Sequence, residues 1–259
     1  MVRVLITGSA DGFGLEAARQ LAQHGHSVYL HARNESRAQH AKAACPGAAG
    51  VLTADLSSLN ETKAFAAAIN AIGEFDAIIL NAGMLYGPFR KTAETGIPAM
   101  VFVNVLAPYI LACLLNRPKR LVFIASQLHQ QADTSVEDIF WFKRGEAVFE
   151  DFPAYCDSKF HVMLLANAVA KRFHGTSVVS VHPGWVATKV GGTEAPDKLE
   201  DGVETYIMLA EGNYDQTLTG KYFVPKKQLG VPLAATNEIN LQEKMVKACE
   251  DVTGLKLFD

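Results

Sequence analysis

Short apolar runs rich in Val, Ile and Leu alternate along the chain with longer stretches in which apolar residues return every third or fourth position. Val2 to Ile6 predicts a buried strand, after which Leu15, Ala18, Leu21 and Ala22 recur at helical spacing. Val28 to His31 predicts a second strand, "GVLTADL" a third ending at Leu56, and the residues through Ala71 a helix. "FDAIILNAG" predicts a fourth strand ending at Gly83 and "KRLVFIAS" a fifth, with the apolar segment Met100 to Leu115 between them as a buried helix. A long irregular segment follows. Then come a helix from about Ala154 to Phe173, a sixth strand in "TSVVSVHPG", a helix from about Lys198 to Ala210 and a short seventh strand at Gly220 to Val224.

Such alternation predicts an α/β fold: one Rossmann-type, doubly wound domain with a mostly parallel seven-stranded sheet and helices on both faces. Ligands then belong at the carboxyl ends of the strands. With 259 residues, 49% of them apolar, the chain can bury one sizeable core, and no repeat or linker divides residues 1–259 into two domains.

Charge and cysteine usage narrow the functional classes. A formal net charge of −3 offers no electrostatic footprint for nucleic acid or an anionic membrane. Cys45, Cys113, Cys156 and Cys249 are scattered without a CxxC, which predicts neither a disulfide framework nor a metal site and fits reduced thiols in the cytoplasm. No charged-then-apolar leader precedes the first strand, and Met100 to Leu115 is short for a membrane span and contains Asn104 and Pro108.

Chemistry enters at the turn in "LITGSADGFGLEAARQLA", where Gly8, Gly12 and Gly14 lie between the first strand and the first helix. Bare backbone there lets N–H groups approach a ligand, and the helix amino terminus adds partial positive charge, so the turn suits a pyrophosphate. Asp55, Asn81, Gly83, Ser126 and "HPGWVATKV" follow successive strands and would line the same rim. In "YCDSK", Tyr155 and Lys159 stand four apart and share a helix face, where a cation favours the phenolate and lowers its pKa toward the range for general acid–base work.

These motifs, "TGSADGFG", "NAG", Asn104, Ser126, "YCDSK" and "HPG", resemble in order and spacing those of the short-chain dehydrogenase/reductases, over nearly the whole chain. Within that family "RLVFIASQLHQ", "AYCDSK" and "ACEDVTGLKL" are most similar to retinol-dehydrogenase-like reductases. Leu80 and Ala125 depart from the family pattern, which often has Asn and Ser there. The resemblance implies a hydride transfer with Tyr155 as proton donor or acceptor and Lys159 lowering its pKa and holding the nicotinamide ribose. It makes Ser126 the group that polarises the substrate oxygen and gives Asn104 a water that relays protons to Lys159. It further implies cofactor contacts from Gly8, Ser9, Gly12, Phe13, Gly14, Asp55, Leu56, Asn81, Ala82, Gly83, Pro183, Gly184, Val186 and Thr188, besides Tyr155 and Lys159. A cofactor half would span about residues 1–125 and a catalytic and substrate half about 126–259.

Where an NAD site carries an acid after the second strand, this chain has Ala32 followed by Arg33. The expectation is therefore NADP(H), with NAD(H) as the lesser option and Arg37 as a rival to Arg33 for the 2′-phosphate. Ile139, Phe140, Trp141 and Phe142 either suit a lipophilic or aromatic alcohol or carbonyl substrate or anchor the segment before Tyr155 onto the core. His129 is a candidate to touch substrate, and Thr188 to Lys198 resembles a mobile flap. The apolar faces of the Asn104 and Tyr155 helices point to a homodimer or homotetramer. The alternative to a carbonyl reductase or alcohol dehydrogenase is a regulator that binds NADP(H) without turnover.

Overall fold

In the computed structural model, which describes residues 1–186 and 195–258, the first apolar run forms β1 (Arg3–Ile6) and the pattern after it α1 (Gly12–Gln23). Next along the chain are β2 (Ser27–Ala32), β3 (Gly50–Thr53), β4 (Ala77–Leu80), β5 (Arg120–Ile124), β6 (Ser177–Val181) and β7 (Tyr222–Val224), all paired in parallel. Across the sheet the order begins β3-β2-β1 and continues β4-β5-β6-β7, so the chain starts near the middle, builds outward on one side and then crosses to the other. In sheets of this topology the ligand crevice belongs at the strand carboxyl ends where the order reverses.

An eighth strand, β8 (Gln228–Leu229), corrects the expected seven and pairs antiparallel with β7. Its two exposed residues carry no alternation to read, and the turn before it holds Lys226 and Lys227 at φ 65° and 59°, a region lysine rarely adopts. Helices α3 (Leu59–Ile72), α6 (Asp151–Arg172) and α7 (Leu199–Glu211) match the apolar periodicity. The buried helix is built of α4 (Ala99–Val101), a π-helical turn (Phe102–Leu106) and α5 (Ala107–Leu114). Two more helices complete the fold. α2 (Glu35–Ala44) buries only Ala38 and Ala41, too little apolar surface to stand out in the sequence. α8 (Ile239–Thr253) buries Gln242, Met245, Val246, Cys249 and Thr253, a helical stripe lying beyond the last predicted strand.

Alternation along the strands divides the core into two layers. Leu5, Ile78, Leu80, Leu121, Phe123 and Val178 pack toward α3, α5, α6 and α8, whereas Val4, Ile6, Ile79, Val122 and Val179 pack toward α1, α2 and α7. Much of the apolar surface of α5 and α6 is buried within the chain. Tyr109, Ile110 and Leu111 of α5 are buried, as are Val162, Leu165 and Val169 of α6, and α8 belongs to the same cluster. Among the described residues no helix is long and apolar enough to cross a membrane, and all four cysteines are free.

The segment before α6 is anchored by charge and by aromatic packing. Arg144 Nη1 lies 2.8 Å from the buried Asp157 Oδ2, Asp157 Oδ1 accepts the Asp133 N–H at 2.9 Å, and the guanidinium stacks 3.6 Å above the Trp141 ring. Ile139, Phe140 and Trp141 are buried in the α5–α6 layer, and Phe142 remains exposed. The anchoring reading of this cluster therefore accounts for three of its four residues.

Gly202 on α7 faces the turn after β6, where a Cβ would stand 2.0 Å from the Pro183 carbonyl oxygen and 2.5 Å from the Phe13 ring. Backbone cannot yield as a side chain can. Gly202→Ala should lower stability by about 2 kcal/mol through overpacking, read as a reduced urea midpoint; an unchanged midpoint would show that α7 moves away without strain.

Candidate active site

The β1 turn is held by its neighbours on both sides. Thr7 N–H donates to the Ile79 carbonyl and the Thr7 hydroxyl accepts the Ala82 N–H, each at 2.9 Å, while Asn81 Nδ2 donates to the Thr7 and Gly8 carbonyls at 2.8 and 3.0 Å. Such closeness excludes side chains. A Cβ on Gly14 would lie 2.6 Å from Asn81 Nδ2, and one on Gly8, whose φ is +62°, would lie 2.8 Å from the Ala82 Cα. Gly12, at φ +56°, has open space where its Cβ would be.

Asp11 occupies the N-cap of α1 without accepting from the helix; its carboxylate pairs with Arg37 at 2.6 Å. The first-turn N–H groups of α1 thus face the crevice unblocked by that carboxylate, and the set of open Gly12 backbone and helix terminus fits a pyrophosphate. Ser9 lies on the inner side of this turn. It is buried, with its hydroxyl donating to the Ile6 carbonyl at 2.8 Å and accepting the His31 N–H at 2.9 Å. Phe13 stacks on Tyr206, with ring centroids 6.0 Å apart, and the Tyr206 hydroxyl donates to Asn81 Oδ1 at 3.0 Å.

Arg33 is exposed just past β2. After β3, Asp55 Oδ1 accepts from the Ser57 N–H and hydroxyl at 2.9 and 2.7 Å, and Leu56 is buried beside it. Pro183, Gly184 and Val186 follow β6. Gly184 has φ +108°, and the Trp185 N–H is held by Asp197 Oδ2 at 2.6 Å, which closes a bridge from Val186 to Asp197. Thr188 lies outside the described residues, as does most of the Thr188 to Lys198 segment.

Asn104, Ser126, Tyr155 and Lys159 converge at the ends of β4 and β5. Asn104 turns inward from the π-helical turn, a distortion frequent at functional positions. Its Oδ1 accepts the Met84 N–H at 2.8 Å, and its Nδ2 donates to the Met84 carbonyl at 2.8 Å and to Ser158 Oγ at 2.9 Å. Gly83 lies between Asn104 and Lys159, for a Cβ there would be 3.3 Å from Asn104 Oδ1 and 3.6 Å from Lys159 Nζ. Lys159 Nζ donates to the Ile124 carbonyl at 2.8 Å and stands 5.5 Å from the centre of the Tyr155 ring. Burial brings the ammonium down to about 8.

Burial also pushes the Tyr155 phenol up to about 12, against the pull of a hydrogen bond with Ser126. Lys159 is not among the groups that lower the phenol; desolvation dominates, and at neutral pH the phenol keeps its proton. His129 does not reach toward substrate: it is buried, its Nδ1–H donates to the Ser126 carbonyl at 2.6 Å and its Nε2 accepts the Leu233 N–H at 3.0 Å. His31, Tyr206 and Gly202 brace the crevice and escaped the motif reading. A histidine amid the apolar "VYLHA" was the one available signal.

At the other end of β2, His24 Nδ1 and His26 Nε2 share Glu211 Oε1 at 2.9 and 3.0 Å. The Val2 N–H donates to His26 Nδ1, so the ring proton sits on Nε2 facing the carboxylate, an arrangement for hydrogen bonding rather than metal ligation.

The short chain dehydrogenase family model matches residues 2–133. The short-chain dehydrogenase chyC of Penicillium rubens is 72% identical and chry4 of Gibberella zeae 63% identical, each over 99% of both chains. Retinol dehydrogenase 12 of Bos taurus is 30% identical over 95% of this chain and 85% of its own. Two solved structures share the fold. An uncharacterized protein from Mycobacterium paratuberculosis superposes with TM-score 0.85 at 22% identity, covering 99% of this chain and 95% of that one. A protein of Escherichia coli CFT073 complexed with NADPH gives TM-score 0.63 at 24% identity, covering 86% and 95%.

Buried histidines give the molecule an acid sensitivity. Burial lowers His31 and His182 to about 4 and His161 to about 3, and among the described residues neither ring nitrogen of His161 has a hydrogen-bond partner. Below about pH 6.5 the unfolded chain binds protons that the folded chain refuses, so stability falls as pH falls toward 4. Each histidine should cost about 1 to 2 kcal/mol between pH 7 and 5, and His161→Phe should remove its share of that slope in urea denaturation. A slope identical in the variant would contradict the assignment.

Proposed function

The chain belongs to the short-chain dehydrogenase family, and from that membership we propose that it is an NADP(H)-dependent oxidoreductase that interconverts an alcohol and a carbonyl compound. The observation that carries this reading is the meeting of Tyr155, Ser126, Lys159 and Asn104 beside the glycine turn at the sheet reversal. Bound NADPH would supply the hydride. Tyr155, protonated at neutral pH, gives its proton to the substrate oxygen as the carbonyl carbon is reduced, and the Ser126 hydroxyl donates a hydrogen bond to the same oxygen. Lys159, positioned by the Ile124 carbonyl, places positive charge behind the phenolate that remains and favours it until a proton returns.

Gly8, Gly12, Phe13, Gly14, Asn81, Ala82 and Gly83 would hold the pyrophosphate and ribose side, Asp55 and Leu56 the adenine, and Pro183, Gly184, Val186 and Thr188 the nicotinamide. Preference for NADP(H) rests on Arg33, exposed where no carboxylate stands to repel a 2′-phosphate, with Arg37 one turn along α2 already engaged by Asp11. The substrate end is lipophilic or aromatic, since Tyr86, Phe152 and Trp185 are exposed on the segments that follow β4, open α6 and follow β6. A cytoplasmic location accords with four free thiols.

Fluorescence titration should show NADPH bound more tightly than NADH, with Arg33→Asp weakening NADPH by about tenfold and reversing the preference. Equal affinities in the wild type would remove the role of Arg33. On any aldehyde or ketone that the wild type reduces, Tyr155→Phe should lose about 100-fold or more in turnover with NADPH affinity retained. Undiminished turnover would rule out the proton transfer from Tyr155, whereas a wild type that binds NADPH but reduces no aldehyde or ketone would leave a binding protein.

A further inference from the structure

His31 fills a position in β2 that any apolar side chain of similar size could pack, yet its ring makes two directional contacts there. The Gly8 N–H donates to Nδ1 at 2.8 Å, which fixes the ring proton on Nε2, and Nε2–H donates to the Ala54 carbonyl at 3.0 Å. The main chain of His31 grips the same turn, its carbonyl accepting the Ser9 N–H at 3.0 Å and its N–H donating to Ser9 Oγ at 2.9 Å. Phe65 from α3 lies 4.6 Å from the ring and holds it in place. One side chain therefore spans the glycine turn after β1 and the end of β3, next to Asp55 and Leu56.

The turn needs an acceptor at this point. Asn81 supplies donors to the Thr7 and Gly8 carbonyls from the β4 side, and the Gly8 N–H, pointing the other way, has His31 as its partner. Without that acceptor a part-buried N–H would be left unpaired, and relaxing it means rotating Gly8 away from φ +62°, which moves the backbone that follows. We propose that His31 is a positioning residue for the dinucleotide: its neutral imidazole holds the Gly8 turn in the shape that binds the pyrophosphate and ties that turn to the β3 end. This rests on the cofactor reading above. Burial keeps the ring neutral across the physiological range, with Asp55 the charged group acting on it.

Two substitutions separate the contacts. In His31→Asn the side-chain oxygen can stand where Nδ1 stood and still accept from Gly8, while the bond to Ala54 is lost; in His31→Gln the amide reaches Ala54 and the Gly8 acceptor is lost. Full-length variants are titrated with NADPH and NADH, and their melting temperatures recorded without nucleotide. The expected result is Asn within about threefold of wild type and Gln weaker by about tenfold for both nucleotides, at similar melting temperatures. Equal weakening by both variants in step with melting temperature, or no weakening by Gln, overturns the inference while the cofactor reading stands. Wild-type protein that binds neither nucleotide overturns both. Should either variant fail to fold, the ¹⁵N spectrum of the wild-type imidazole decides: a ring protonated at Nε2 alone near pH 7 supports the role, and one protonated at Nδ1 overturns it.

Discussion

The site depends on how closely the backbone leaving β1 approaches the backbone leaving β4. Gly8 and Gly14 lie against Asn81 and Ala82 at separations that no Cβ could occupy, and Asn81 fastens the two loops by donating to two carbonyls at once. Parallel pairing of β1 with β4 brings the loops together, and reversal of strand order sends them apart again. What lies between is a crevice with an open helix terminus on one wall and the Asn81–Gly83 segment on the other. Phe13, Tyr206 and Gly202 extend the same close contact to α7 and to the turn after β6.

Desolvation governs the electrostatics of Tyr155 and Lys159 more than pairwise attraction does. Tyr155 and Lys159 are moved in opposite directions, the phenol toward holding its proton and the ammonium toward giving one up. Each shift disfavours charge, as a dry site demands, leaving Lys159 at about 8 the more readily deprotonated of the two and Tyr155 at about 12 the more firmly protonated. Asn104 contributes through geometry. Its amide is consumed by Met84 and Ser158, which fixes the loop carrying Gly83 against Lys159. Any relay through Asn104 must share an amide that already carries three hydrogen bonds.

The carboxyl-terminal half adds packing that the shared core does not need for its sheet. α8 covers α6, and the segment 133–149 is clamped to the same helix through Arg144 and Asp157. Trp141 sits at φ +59° under the Arg144 guanidinium, so the anchor tolerates a backbone conformation that a bulky residue rarely takes. His129 links the Ser126 carbonyl to Leu233, joining the end of β5 to the chain beyond β8. The rim around Tyr155 is thus built from parts distant in sequence.

The amino-acid sequence by itself determined the α/β class, the central strands, the glycine turn and the Tyr155–Lys159 pair, because each is written in local spacing: period two, period three to four, or a bare turn between them. The edge strand β8 and helix α2 were not legible, one being two residues long and the other burying only two alanines. Tertiary structure alone decided that the Ser9 hydroxyl braces the β1 turn, that His129 reaches Leu233, and that much of the apolar surface of α5 and α6 is buried within the chain. It also decided that His31 bridges two strand ends. Such outcomes depend on which groups meet across the sheet and on how much water their meeting removes, and neither quantity is local in the chain.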